Sequence, residues 1–439
     1  YFVPIYPIKW VGLVSSAGIF CVYILIMFFF CAILSFGTDT KPEKIISDKN
    51  NDDFYERMGN FFTRNGKKTI PIATLIIAIS IFGATKVYVN LNTNKMMGTK
   101  LPHTKDQLHI SQTEIGFTYS YDVAILFKDK NQALNIETME KIDELSEFIE
   151  AYPFIKNVRG ITGSLKEFNR IMNNDIESQY KLPETNAKLR GLVNLYSRMQ
   201  GSDLSSWLNK DKTGLRITVQ VTEFSSADLS KHVAEVENEI EQLFPETQYP
   251  GREVLLSGSV IQTAAMNQYV TKGLIVSVGT ALAAIALILI IAFRSIKLGL
   301  IAMIPNITPV ILVGGIMGFA GIELEFVTMT IAPMLLGLAV DDTIHLITHI
   351  KTVFTRSGSY KTALSETFRA VGKSVVQTTF ILSVTFFIFI FSRVHSMVNM
   401  GLLTMVGVIT ALAADLIITP VLVKWTKPFG KEKTPANIN

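Results

Sequence analysis

Residues 335–350 read LLGLAVDDTIHLITHI. Two adjacent aspartates, Asp341 and Asp342, stand inside an apolar run, and His345 follows within one helical turn. Extended back to Phe326, the segment is long enough to cross a bilayer, which takes about 20 apolar residues. A charged aspartate at the centre of such a helix costs about 2.5–3.5 kcal/mol on an insertion scale. Something must offset that cost twice.

The rest of the chain fits a membrane setting. Of its 439 residues, 49% are hydrophobic and 18% are charged, against about 25% charged in an ordinary soluble domain. The apolar residues are clumped into seven segments that could span, 11–36, 69–89, 271–293, 298–320, 326–350, 374–392 and 398–424. A long polar stretch, 90–270, separates the second from the third. The expected fold is an α-helical polytopic membrane bundle carrying one extracytoplasmic α/β domain. Its expected parts are a helix in 1–36, a cytoplasmic linker 37–68, a spanning helix 69–89, an outer domain 90–270, a five-helix bundle 271–424 and a cytoplasmic tail 425–439.

The net charge of +4 is modest, and no basic cluster suggests a nucleic-acid partner. Cys21 and Cys31 lie ten residues apart in the first apolar run, about 15 Å along a helix, which is too far for a disulfide. No nucleophile elbow, phosphate-binding loop or metal-ligand spacing occurs, so neither catalysis nor a cofactor is expected. The first apolar run lacks the charged start and small-residue cleavage site of a signal peptide. The chain opens on Tyr1, and we expect it to be part of something longer.

Basic loops mark the cytoplasmic side of a membrane protein. Lys351, Arg356, Lys361, Arg369 and Lys373 stand against Glu366 alone in 351–373. Arg294 and Lys297 mark a second turn, and Lys424, Lys427, Lys431 and Lys433 mark the tail. Placing these inside puts the 90–270 domain and the Glu323–Glu325 turn outside, in the periplasm of a bacterial inner membrane. Within 90–270, 119–127, 155–161, 215–224 and 253–259 have strand composition. Residues 135–152 have helical period, with Ile136, Met139, Ile142, Leu145, Phe148 and Ile149 on one face, and 229–244 form a second amphipathic helix. Two strand–helix–strand units predict a split βαβ sandwich.

The spanning segments carry small-residue pairs such as Gly314 and Gly318, which let helices approach closely in lipid. The intramembrane charges are more informative. Asp341 and His345 are four apart, Asp342 and His345 three apart, so both pairs can meet on a helix. Pro333, Gly337, Asp341 and His345 form one stripe. Intramembrane carboxylates usually mark ion pathways, and a neighbouring histidine titrates near neutral pH. We therefore expect Asp341, Asp342 and His345 to form a proton relay, with sodium as the alternative coupling ion. Asp415, Thr378 and Thr379 are secondary relay positions. The structural alternative is a polar knot satisfied by hydroxyls of Thr378, Thr379, Ser383 and Thr385.

The pieces "FRS" (293–295), "IPN" (304–306), "GLAVDD" (337–342), "TIHL" (343–346) and "ALAADLIITPVLV" (411–423) resemble the resistance–nodulation–division superfamily, and within it the MMPL-type branch. The resemblance implies two repeats, each with one helix, an outer domain and five more helices. Residues 69–424 then look like the second repeat, and a missing N-terminal repeat would be a partner. It also implies proton-driven export of a hydrophobic or lipid-like substrate, with membrane lipids around it and a periplasmic partner. Two other functions share the helices: a sterol-sensing-like receptor without net transport, and a SecDF-like accessory of protein translocation.

Overall fold

The computed structural model describes residues 6–36, 54, 56–57, 59, 61, 64–198, 204–222 and 224–432. Most of the expected 37–68 linker and the end of the tail lie outside them. Among the described residues seven helices are long and apolar enough to span. The chain falls into two units, one formed by Tyr1–Val89 with Tyr269–Asn439 and the other by Asn90–Gln268.

The first unit begins with α1, Tyr6–Leu25, which runs through a π turn, Ile26–Phe30, into Cys31–Ser35. The side chains described along it are exposed, as a lipid-facing apolar rod requires. Helix α2 is Gly66–Ala84. It ends five residues earlier than composition suggested, because Tyr88 and Val89 pair with the turn after a later helix: Leu324 N–H donates to Tyr88 O at 2.9 Å.

The second unit is built on a four-stranded sheet. Strand β1 is Tyr119–Leu126, followed by α3, Ile136–Glu150, and β2, Ile155–Gly160. Helices α4, Ile161–Met172, and α5, Asn186–Tyr196, fill the polar middle. Then come β3, Gly214–Val221, α6, Ser226–Leu243, and β4, Glu253–Gly258. The order is β2-β3-β1-β4, with every neighbouring pair antiparallel. Each βαβ unit is split by a strand of the other, as expected. Met139, Ile142, Leu145 and Ile149 of α3 are buried against Val123 and Ile125 of β1 and Ile217 and Val219 of β3. Ile136 and Phe148 pack at the margin.

Helix α7, Ser259–Phe293, starts twelve residues before the apolar run that announced it, and the boundary between the units falls within it. Helix α8, Ile296–Ala320, is capped by the Ser295 hydroxyl and ends on Gly321 at φ 66, a left-handed conformation that suits glycine. Helix α9, Ile331–Ser357, stops at Gly358, φ 67, and α10, Tyr360–Phe387, begins two residues later. The charged stretch 351–373 is thus a tight helical hairpin. Its cations interleave with a buried face of Ala363, Leu364, Thr367 and Phe368, which is why loop charge hid the helix. Helix α11, His395–Thr426, is the most buried spanning helix.

Glycine sets the contact between α2 and α8. A Cβ on Gly318 would lie 1.8 Å from the Gly83 carbonyl oxygen, and one on Gly315 2.6 Å from Ser80 Cα. No side chain fits there, so the backbones touch.

Candidate functional site

Successive residues of a helix turn by about 100°, and α9 uses that rotation. Asp341 is 79% exposed, Asp342 is half-buried and Thr343 is fully buried. Three consecutive side chains therefore lead from an open face of the bundle to its interior. On the open face Gly337, Asp341, His345, Thr348 and Thr352 are all exposed. His345 Nε2 lies 3.4 Å from Asp341 Oδ1, the i,i+4 pair read from the sequence, and His345 is 71% exposed. Among the described residues neither the pair nor the ridge is covered.

The inner end of the path is Asp415 on α11, 2% exposed. Thr343 Oγ1 donates to Asp415 Oδ1 at 2.7 Å, and Thr419 Oγ1 donates to the same oxygen at 3.1 Å. Thr343 Oγ1 is also 3.3 Å from Asn306 Oδ1 on α8. Asn306 is fully buried, and its amide nitrogen donates to Ala302 O at 2.7 Å. It sits between Pro305 and Pro309, each of which removes a backbone N–H from the helix ladder. Asp342 acts on Asp415 electrostatically.

The expected threonines of α10 are arranged differently. Thr378 Oγ1 donates to Val375 O of its own helix at 2.9 Å, and Thr385 to Ile381 O at 2.8 Å. Thr379 is buried, and Ser383 Oγ is buried without a hydrogen-bond partner among the described residues. The hydroxyls that reach Asp415 are those of Thr343 and Thr419. The quoted motifs contain these residues, since "IPN" ends on Asn306, "TIHL" begins on Thr343 and "ALAADLIITPVLV" holds Asp415 and Thr419. What the sequence lacked was the tertiary contact that brings α8, α9 and α11 together.

Two further features flank this path. His349 Nδ1 lies 2.9 Å from the buried Thr367 Oγ1, and His349, Arg356, Glu366 and Arg369 line a cleft of about 510 Å³. An apolar slot of about 130 Å³ lies between α2, α8 and α11, lined by Ile76, Ile77, Leu312, Ala414, Ile417 and Ile418 among others.

The sequence profile of the MMPL family matches residues 160–435, well over half of the chain and the whole of the path just described. The chain belongs to the MMPL family. A membrane protein of Methanocaldococcus jannaschii is 25% identical over 377 residues, covering 81% of this chain and 90% of that protein. This MMPL chain is accordingly a polytopic membrane protein of the resistance–nodulation–division type.

Proposed function

We propose that this chain is the ion-coupling part of a secondary transporter that moves a hydrophobic or lipid-like substrate by the proton-motive force. Members of the MMPL family are transporters. One observation carries the coupling: carboxylates and a histidine run from the open face of α9 to the buried Asp415. Charge of that kind inside a spanning segment is expensive and marks ion movement more often than packing. The apolar slot between α2, α8 and α11 supports a substrate with alkyl character. The basic residues of 351–373 favour the cytoplasmic side for that end of the bundle.

Among the described residues nothing covers the ridge of Gly337, Asp341 and His345, and in the proposed transporter a partner segment covers it. A first repeat N-terminal to this chain fits that need. The test is transport by the full protein in vesicles under an imposed proton gradient, with Asp341→Asn and Asp342→Asn separately and together. Asparagine keeps the shape and removes the charge. Abundance in the membrane should hold and gradient-driven release of a lipid or lipophilic dye should collapse. Undiminished release in the double variant would refute proton coupling at these residues.

A further inference from the structure

The hydrogens in the buried cluster do not match its contacts. Thr343 has one hydroxyl hydrogen and two acceptors, Asp415 Oδ1 at 2.7 Å and Asn306 Oδ1 at 3.3 Å. Thr419 supplies one more hydrogen, and it goes to Asp415 Oδ1. When Asp415 is ionised, the Thr343 hydrogen is held by the carboxylate, because a charged acceptor binds about twice as strongly as a neutral one. Asn306 Oδ1 then has no hydrogen from Thr343. When Oδ1 of Asp415 carries a proton, that proton can donate to Thr343 Oγ1 across the same 2.7 Å. The Thr343 hydrogen is then free to turn to Asn306.

We infer that Asp415, Thr343 and Asn306 form a proton-operated switch in which the charge state of α11 is read on α8 through one rotating hydroxyl. Asp415 gains one proton and no other covalent bond changes. The Thr343 hydrogen rotates about its Cβ–Oγ1 bond, away from Asp415 and onto Asn306. Among the described residues the groups acting on Asp415 are Thr343, Thr419 and the charge of Asp342 on α9.

The place where the signal arrives is suited to respond. Asn306 already ties its amide to Ala302 O, one turn back. Pro305 and Pro309 leave carbonyls of that stretch without their ladder partners. A helix relieved of those bonds bends more readily than an intact one. The same stretch of α8 continues through Thr308 and Leu312, which line the apolar slot. A change at Asn306 is therefore felt one turn away, where a hydrophobic chain would sit.

This inference rests on the ion-coupled reading, but its first test does not need transport. The chain in lipid vesicles is titrated while the infrared absorption of protonated carboxyl groups is followed. Wild type should show a buried carboxyl band that appears as pH falls, and Asp415→Asn should remove it. Thr343→Val should shift the band, because the protonated carboxyl loses its acceptor. Thr343→Ser should restore the wild-type position. A band that persists in Asp415→Asn, or that is the same in Thr343→Val as in wild type, overturns the switch. So does a band that follows sodium at constant pH. If Asp415→Asn fails to accumulate, the Thr343 pair alone decides.

Transport then separates the two ideas. Thr343→Val should slow gradient-driven release by about tenfold, the cost of one hydrogen bond to a charged group, while Thr343→Ser stays near wild type. A titrating Asp415 in a protein that moves no substrate would leave the switch standing and remove the transport reading.

Discussion

His232 offers a measurable consequence of burial in the βαβ unit. It stands on α6 with 1% exposure, and its Nε2 lies 2.6 Å from the Tyr121 hydroxyl of β1. The rings of Tyr152 and Phe154 close over it at 4.3 and 5.2 Å, edge-on. Its Nδ1 is buried without a hydrogen-bond partner. Burial pushes the imidazole down from 6.5 to about 4, against a smaller opposing pull from Glu235. In the unfolded chain the same ring titrates near 6.5. Above that pH both states hold it neutral and its contribution is fully present. Below it the unfolded state takes up a proton that the folded state refuses, so stability falls with pH. At pH 5 the loss works out to about 2 kcal/mol, or roughly a 30-fold rise in the opening equilibrium.

The carboxylates held low by their partners, Glu137 by Lys141 and Glu235 by Tyr152, add their losses only at lower pH. The window from pH 6.5 to 5 therefore isolates the histidine. Hydrogen exchange of the β1 and β3 amides in the intact protein, corrected for intrinsic rates, reads this opening. Wild type should lose protection by about that factor. His232→Gln, which keeps a hydrogen-bonding group beside Tyr121 and does not titrate, should lose little. Equal pH dependence in both proteins would refute the argument.

Other predictions follow from packing and hydrogen bonds. Gly318→Ala should push α8 off α2, because its Cβ would overlap the Gly83 carbonyl; a loss of about 1–3 kcal/mol is expected, read as a lower melting temperature in detergent. The Tyr360 hydroxyl donates to Gly430 O at 3.1 Å and accepts from Phe429 N–H at 2.9 Å. Tyr360→Phe should cost about 1–2 kcal/mol and speed tryptic cleavage at Lys427 and Lys431. Burial raises the Glu325 carboxyl, which only partly recovers through the Ser396 hydroxyl at 2.7 Å. Its folded value exceeds the unfolded one, so it destabilises as pH rises through that range. Glu325→Gln should raise the melting temperature at alkaline pH, with the gain fading at acid pH.

The βαβ unit and the α9 ridge were legible because both depend on local period. The alternation in 215–224 and the apolar face of 135–152 predicted β3, Gly214–Val221, and α3, Ile136–Glu150, with ends off by up to three residues. The pairing of Asp341 with His345 needs only one helix. The Asp415 cluster was not legible in the same way. Thr343, Thr419 and Asn306 are ordinary helix residues until three helices meet, and no spacing along one chain encodes that meeting. Helix ends were missed where amphipathic turns extend a spanning segment, as at Tyr360 and Ser259, because hydropathy falls before the helix does.

The interleaved sheet has a consequence for how the βαβ unit is held together. β1 pairs with β3 and β4, and β2 pairs with β3. Among the described residues neither strand–helix–strand half contains a strand pair of its own, so each half supplies the sheet partners of the other. Cut between α5 and β3, neither fragment has a sheet to fold around, yet the two together carry every pairing. The unit behaves as a lock whose two pieces are useless apart. Mixed fragments should reassemble it without the connecting peptide.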